Sequence, residues 1–147
     1  MEKMRGYLKL FVLHLLESKP MHGYGIIKAI EEGFGLPPPS PGAIYPILAN
    51  LKRAGLIELD SREEREKKVY CLTEKGRKYL EQHDEERKEA LNYLKKLREF
   101  SQIGGRELGE VIREIVQNIT ELNEEQKLEL EKIIKDFTKK VKLILLG

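Results

Sequence analysis

The chain has 147 residues, 40% of them hydrophobic and 35% charged, with a formal net charge of +2. This is apolar matter for one folded domain with an extension, and it excludes a chain disordered throughout. A single cysteine, Cys71, excludes an intrachain disulfide and a cysteine-cluster metal site, while the near balance of charge leaves any polyanion-binding surface to local placement.

Leu8, Phe11, Val12, Leu15 and Leu16 fall at helical spacing and predict a first helix over residues 5–17, ended by Ser18-Lys19-Pro20. A second helix is expected from His22 to Glu32, with Tyr24, Ile26, Ile27 and Ile30 as its apolar side and His22 as its cap. Gly23 and Gly25 cost it roughly 1 kcal/mol each against alanine and read as places where a neighbouring backbone comes close. Gly33 or Gly35 is expected to end it in the left-handed conformation. Residues 36–41, Leu-Pro-Pro-Pro-Ser-Pro, form a stiff extended linker. Ser40 is a favourable N-cap and Pro41 a favourable first residue for a third helix running to about Arg53, with Ile44, Ile47, Leu48 and Leu51 inward and Gly55 as its stop.

The period then changes. Leu56–Leu59 and Val69–Leu72 are short β-like runs around an almost wholly charged segment, which reads as a two-stranded ribbon with a solvated tip. Thr73 is expected to cap a long helix from Glu74 to Phe100, polar in its middle and then leucine-rich. Gly104-Gly105 breaks it. A further helix carries Leu108 to Ile119, and Asn123 with Gln126 forms a capping box for a last one bearing Leu128, Leu130, Ile133, Ile134, Phe137, Val141 and Ile144. No run of 18 apolar residues exists, so no membrane span, and hence a cytoplasmic location, is expected.

Helix, helix, helix, charged hairpin and long helix is the order of a winged helix-turn-helix, a mainly α fold with a small β-hairpin wing. Its third helix suits the major groove and its wing the flanking phosphates. Ser40, Gly42 and Ala43 open that helix with small side chains that let a backbone or base come near. Tyr45 suits a phosphate contact, Asn50 an adenine edge, and Arg53 and Ala49 lie outward beside it. Lys28 on the second helix and Arg65, Lys67 and Lys68 in the wing are the basic candidates, the last three diluted by Glu63, Glu64 and Glu66. His14, His22 and His83 have no metal-ligand spacing, no nucleophile–base set stands near Cys71, and no cofactor is implied.

Blocks of this chain resemble the PadR family of transcriptional regulators. They are His22-Gly23-Tyr24, Ser40 to Leu48 (Ser-Pro-Gly-Ala-Ile-Tyr-Pro-Ile-Leu), Leu51, Gly55-Leu56-Ile57, and Tyr70-Cys71-Leu72-Thr73-Glu74-Lys75-Gly76. The resemblance spans residues 8–80, with Ile44 where the family pattern has leucine and Cys71 where a polar residue is common. It implies a winged-helix domain over residues 1–80 and a helical dimerisation region over 81–147. It also implies a homodimer on double-stranded DNA, in most members a repressor; a small-molecule effector at the dimer region is an expectation apart from the resemblance. Leu91, Leu94, Leu97, Ile112, Ile115, Ile119, Ile133 and Phe137 are the candidate dimer contacts. The competing reading is a winged-helix module that binds proteins and no specific DNA.

Overall fold

The computed structural model describes residues 2–34, 39–60 and 68–147. Elements follow in the order α1 (Glu2–Ser18), β1 (Met21–His22), α2 (Gly23–Phe34), α3 (Pro41–Arg53), β2 (Ile57–Leu59), β3 (Val69–Leu72), α4 (Glu74–Gln82) and α5 (Asp84–Phe100). After a π-turn at Ser101–Gly105 come α6 (Arg106–Asn118) and α7 (Glu124–Leu145). Two compact units result, Met1–Gly109 and Glu110–Gly147.

In the first unit α1 is the central element, packed on α2, α4, α5 and β3. Leu8, Leu10, Phe11, Val12, Leu13 and Leu16 are all buried, so the apolar face of the helix also takes in Leu10 and Leu13. Ile26, Ile27 and Ile30 of α2, Ile44, Leu48 and Leu51 of α3, and Leu80 and Ala90 close the core. At about 1.5–3 kcal/mol for each large apolar side chain removed from water, this cluster fixes the place of α3.

Several sequence expectations need correction. The ribbon is a three-stranded antiparallel sheet in the order β1-β3-β2. Ile57, Glu58 and Leu59 oppose Leu72, Cys71 and Tyr70, while Met21 and His22 oppose Tyr70 and Val69 on the other edge of β3. The helix expected from Glu74 to Phe100 is two helices. At His83 the backbone leaves the helical region (φ −112°, ψ 32°), and its ring stacks on Tyr79 with centroids 3.9 Å apart. This corner turns α5 back onto α1 and α2, where Arg87 bonds both carboxylate oxygens of Glu17 at 3.1 Å. Gly33 does not end α2, which runs on to Phe34; Gly35 and linker residues 36–38 lie outside the described residues.

Local signals hold elsewhere. Gly55, at φ +76°, follows α3 in the left-handed conformation, and Gly104 (φ +101°) breaks the helix before α6. The Thr73 hydroxyl accepts from Gly76 N–H at 3.0 Å. Asn123 and Gln126 make the full capping box. No described helix is long and apolar enough to cross a membrane.

Candidate nucleic-acid interface

The site is built on α3. With Ile44, Leu48 and Leu51 buried, the rotation of 100° per residue leaves Gly42, Pro46, Ala49 and Arg53 on the opposite face. That face is made of small or stiff side chains ending in a guanidinium, and Lys52 adds a second cation in the last turn. No acidic residue stands anywhere in α3, so its electrostatics favour a polyanion whatever the balance of the whole chain.

Ser40, Gly42, Ala43 and Asn50 come together along the flank towards α1. They line a groove of about 450 Å³ with Leu8, Pro46 and Ile47. Ser40 occupies the N-cap position, but its side chain makes no capping bond, contrary to the sequence reading. Its carbonyl instead accepts from Ala43 and Ile44 N–H at 2.9 and 3.1 Å. Asn50 is exposed, and its Oδ1 accepts from Arg53 Nη1 at 3.2 Å. The pair orients the Asn50 amide, leaving its NH2 to donate outward and a second lone pair on Oδ1 to accept.

Tyr45 stands on the other flank, 47% exposed, with its ring laid against the first residue of α2. A Cβ built on Gly23 would lie 2.8–3.0 Å from the Tyr45 hydroxyl and ring. At Gly25 it would lie 2.7 Å from His22 Nδ1, which accepts from Gly25 N–H at 3.2 Å. Both glycines therefore make room for side chains, where the sequence reading had anticipated backbone. The phenol of Tyr70 is held above its usual range, by burial first and by the neighbouring Tyr45 second.

The other candidates are more dispersed. Lys28 is exposed and shares a groove of about 550 Å³ between α2 and the base of the wing with Lys19, His22, Glu32 and Asp60. Lys68 is exposed immediately before β3. Arg65 and Lys67 lie outside the described residues. Tyr24, read from the sequence as part of the apolar side of α2, is instead 67% exposed, its ring edge-on to His22. Its angle on the helix wheel, well off the Ile26-Ile27-Ile30 stripe, was the signal for that.

Of the candidate dimer contacts, Leu94 and Leu97 pack partly on the core of their own chain, and Leu91 lines a small void with Phe11, His14 and Ile30. Ile112 on α6, Ile119 just after it, and Ile133 and Phe137 on α7 are exposed, and Ile115 is half-buried between the two helices.

A helical core, a bare and cationic third helix and a small antiparallel wing define a winged helix-turn-helix protein. Its residues 12–82 match the model of the transcriptional regulator PadR-like family. The transcriptional regulator YqjI of Escherichia coli (strain K12) is 44% identical over 82 residues, which are 55% of this chain and 39% of that protein. The match thus spans about two fifths of the curated relative's length. A solved transcriptional regulator from Clostridium thermocellum superposes with a TM-score of 0.54 at 29% identity, covering 65% of this chain and 94% of that one. A PadR-like transcription factor from Bacteroides fragilis does so with a TM-score of 0.52 at 25% identity over the same shares.

Proposed function

We propose that the chain is a transcriptional regulator that binds double-stranded DNA as a homodimer and acts as a repressor on a roughly palindromic operator. The observation that carries this reading is the outward face of α3 in a PadR-like frame. Gly42, Pro46 and Ala49 allow the helix to lie close to the floor of the major groove, Arg53 and Lys52 supply cations, and Asn50 presents an oriented amide. In this reading the exposed hydroxyls of Tyr45 on α3 and Tyr24 in the first turn of α2 meet the sugar–phosphate backbone, and Lys28, Arg65, Lys67 and Lys68 serve phosphates.

In this reading residues 1–80 hold the DNA and residues 81–147 join the copies, with α5 bracing the winged helix on the way. The dimer is supported by α6 and α7, which contain no buried residue although Val111, Ile112, Val116, Ile133 and Phe137 line them. Soluble monomers rarely leave such a surface in water. Two-fold symmetry would set the recognition helices about 34–36 Å apart, one turn of DNA. A small-molecule effector that prefers another separation would release the operator, and a few kcal/mol of differential affinity suffices.

The test is a genomic footprint of the purified protein followed by titration of the protected fragment over a salt series. A protected site whose log affinity falls linearly with log salt is expected, because phosphate contacts release counterions. Absence of any protected site, with binding equal on all sequences, overturns the operator reading.

A further inference from the structure

We propose that Asn50 and Arg53 act as one reading unit, selecting an adenine on one base pair and a guanine on the base pair stacked next to it. The proposal rests on the operator reading above and adds the base step that the end of α3 selects.

Both side chains are exposed in the last turn of α3, a helix with no acidic residue to draw the guanidinium away. Arg53 Nη1 donates to Asn50 Oδ1 at 3.2 Å. A guanidinium can only donate, so the amide turns its oxygen, and not its NH2, towards Arg53. A flipped amide would set donor against donor. The free lone pair of Oδ1 and the NH2 then offer an acceptor beside a donor. In the major groove adenine alone answers both on one base, with its N6 amino group and N7. Guanine shows two acceptors there, cytosine a donor and thymine an acceptor.

The same bond leaves Arg53 its own reading edge. It uses an N–H of Nη1, and the Nε–Nη2 edge keeps the parallel N–H groups that fit O6 and N7 of guanine. Two polar heads held 3.2 Å apart match the rise of one base pair, about 3.4 Å, so they meet neighbouring pairs and not distant ones.

The backbone beneath the pair is pinned. Ala54 N–H donates to the Asn50 carbonyl at 2.9 Å, and Lys75 Nζ reaches across from α4 to donate to the Ala54 carbonyl at 2.9 Å. Gly55, at φ +76°, turns the chain away directly afterwards. The two heads are therefore in place before DNA arrives, and less side-chain freedom is lost on binding.

The experiment enriches a randomised duplex library on the full chain and on its Asn50→Ala and Arg53→Met variants, and sequencing gives the preference at every position. Both residues are exposed, and circular dichroism checks that each variant keeps its helices. The parent is expected to enrich an A·T pair beside a G·C pair. Asn50→Ala relaxes the A·T position alone. Arg53→Met relaxes the G·C position by roughly 5- to 150-fold, the worth of a bidentate contact. It also relaxes the A·T position by about 2- to 10-fold, the worth of the orienting hydrogen bond. Uniform weakening on all duplexes, with both preferences intact, makes Arg53 a phosphate ligand and overturns the proposal. Loss at the G·C position with the A·T preference unchanged overturns the coupling, and loss at two separated positions overturns the step. In each of these cases the operator reading stands. A parent chain that enriches no sequence overturns that reading as well.

Discussion

Gly76→Ala tests how the wing is fastened to the helical core. Gly76 sits in the first turn of α4, and a Cβ there would run into the Leu56 carbonyl oxygen and lie 2.6 Å from Leu72 Cδ1. The oxygen belongs to backbone, and it already accepts from Thr73 N–H at 3.1 Å. It cannot swing aside as a side chain would. Relief requires the start of β2 and the start of α4 to separate, which strains the packing by about 1–3 kcal/mol and weakens a hydrogen bond worth about 0.5–1.5 kcal/mol. The gain in helix propensity from glycine to alanine offsets at most about 1 kcal/mol. The net expectation is a loss of about 1–3 kcal/mol, a fall in melting temperature of roughly 5–20 °C for a domain of this size. Thermal melting followed by circular dichroism reads it. Gly6→Ala is the control. Gly6 lies in α1 with nothing within 4 Å of an added Cβ, so the same substitution should stabilise by about 0.5–1 kcal/mol. A Gly76→Ala protein that melts at or above the parent temperature would refute the close-approach argument.

Asn50→Ala should weaken binding to the footprinted operator by roughly 1–3 kcal/mol and relax preference at one base pair, read by titrating operator variants; unchanged preference removes Asn50 from the readout. A pH dependence is expected from His14, whose Nδ1 is buried without a hydrogen-bond partner among the described residues. Burial first, then Arg87, lower its pKa, against an opposing pull from Glu17. The folded chain therefore keeps the imidazole neutral where the unfolded chain has begun to protonate. The unfolded state binds more protons below the ordinary histidine value of about 6.5, so stability falls as pH drops beneath it. Urea midpoints at pH 7.5 and 5 should differ more for the parent than for His14→Gln, and equal differences would count against this assignment.

How much of this was legible in the sequence depended on the range of the forces involved. Pro20, the Ser40-Pro41 step, Gly55, the Thr73 cap and the Asn123–Gln126 box act on backbone groups a few residues away. The helix limits they set, and the candidate third helix, therefore follow from local signals alone. The PadR-like blocks were legible for the same reason, as fixed spacings along the chain. Tertiary packing alone decided the rest. The pairing of Met21 and His22 with β3 depends on a strand almost fifty residues away and has no periodicity of its own. The corner at His83 lies in a stretch where residues on both sides favour helix, and it is set by the docking of α5 on α1 and α2. Gly23 and Gly25 looked alike as helix-weakening residues, and Gly76 stood only as the end of a family block. Their reasons differ because one lies under a tyrosine ring, one under an imidazole and one against a carbonyl, neighbours that exist only once the chain has folded. The sequence by itself determined those ends that prolines, caps and the glycines at 55 and 104 set, because such signals are short-range. The folded structure decided which faces meet and which stay in water, because burial is a property of the whole arrangement.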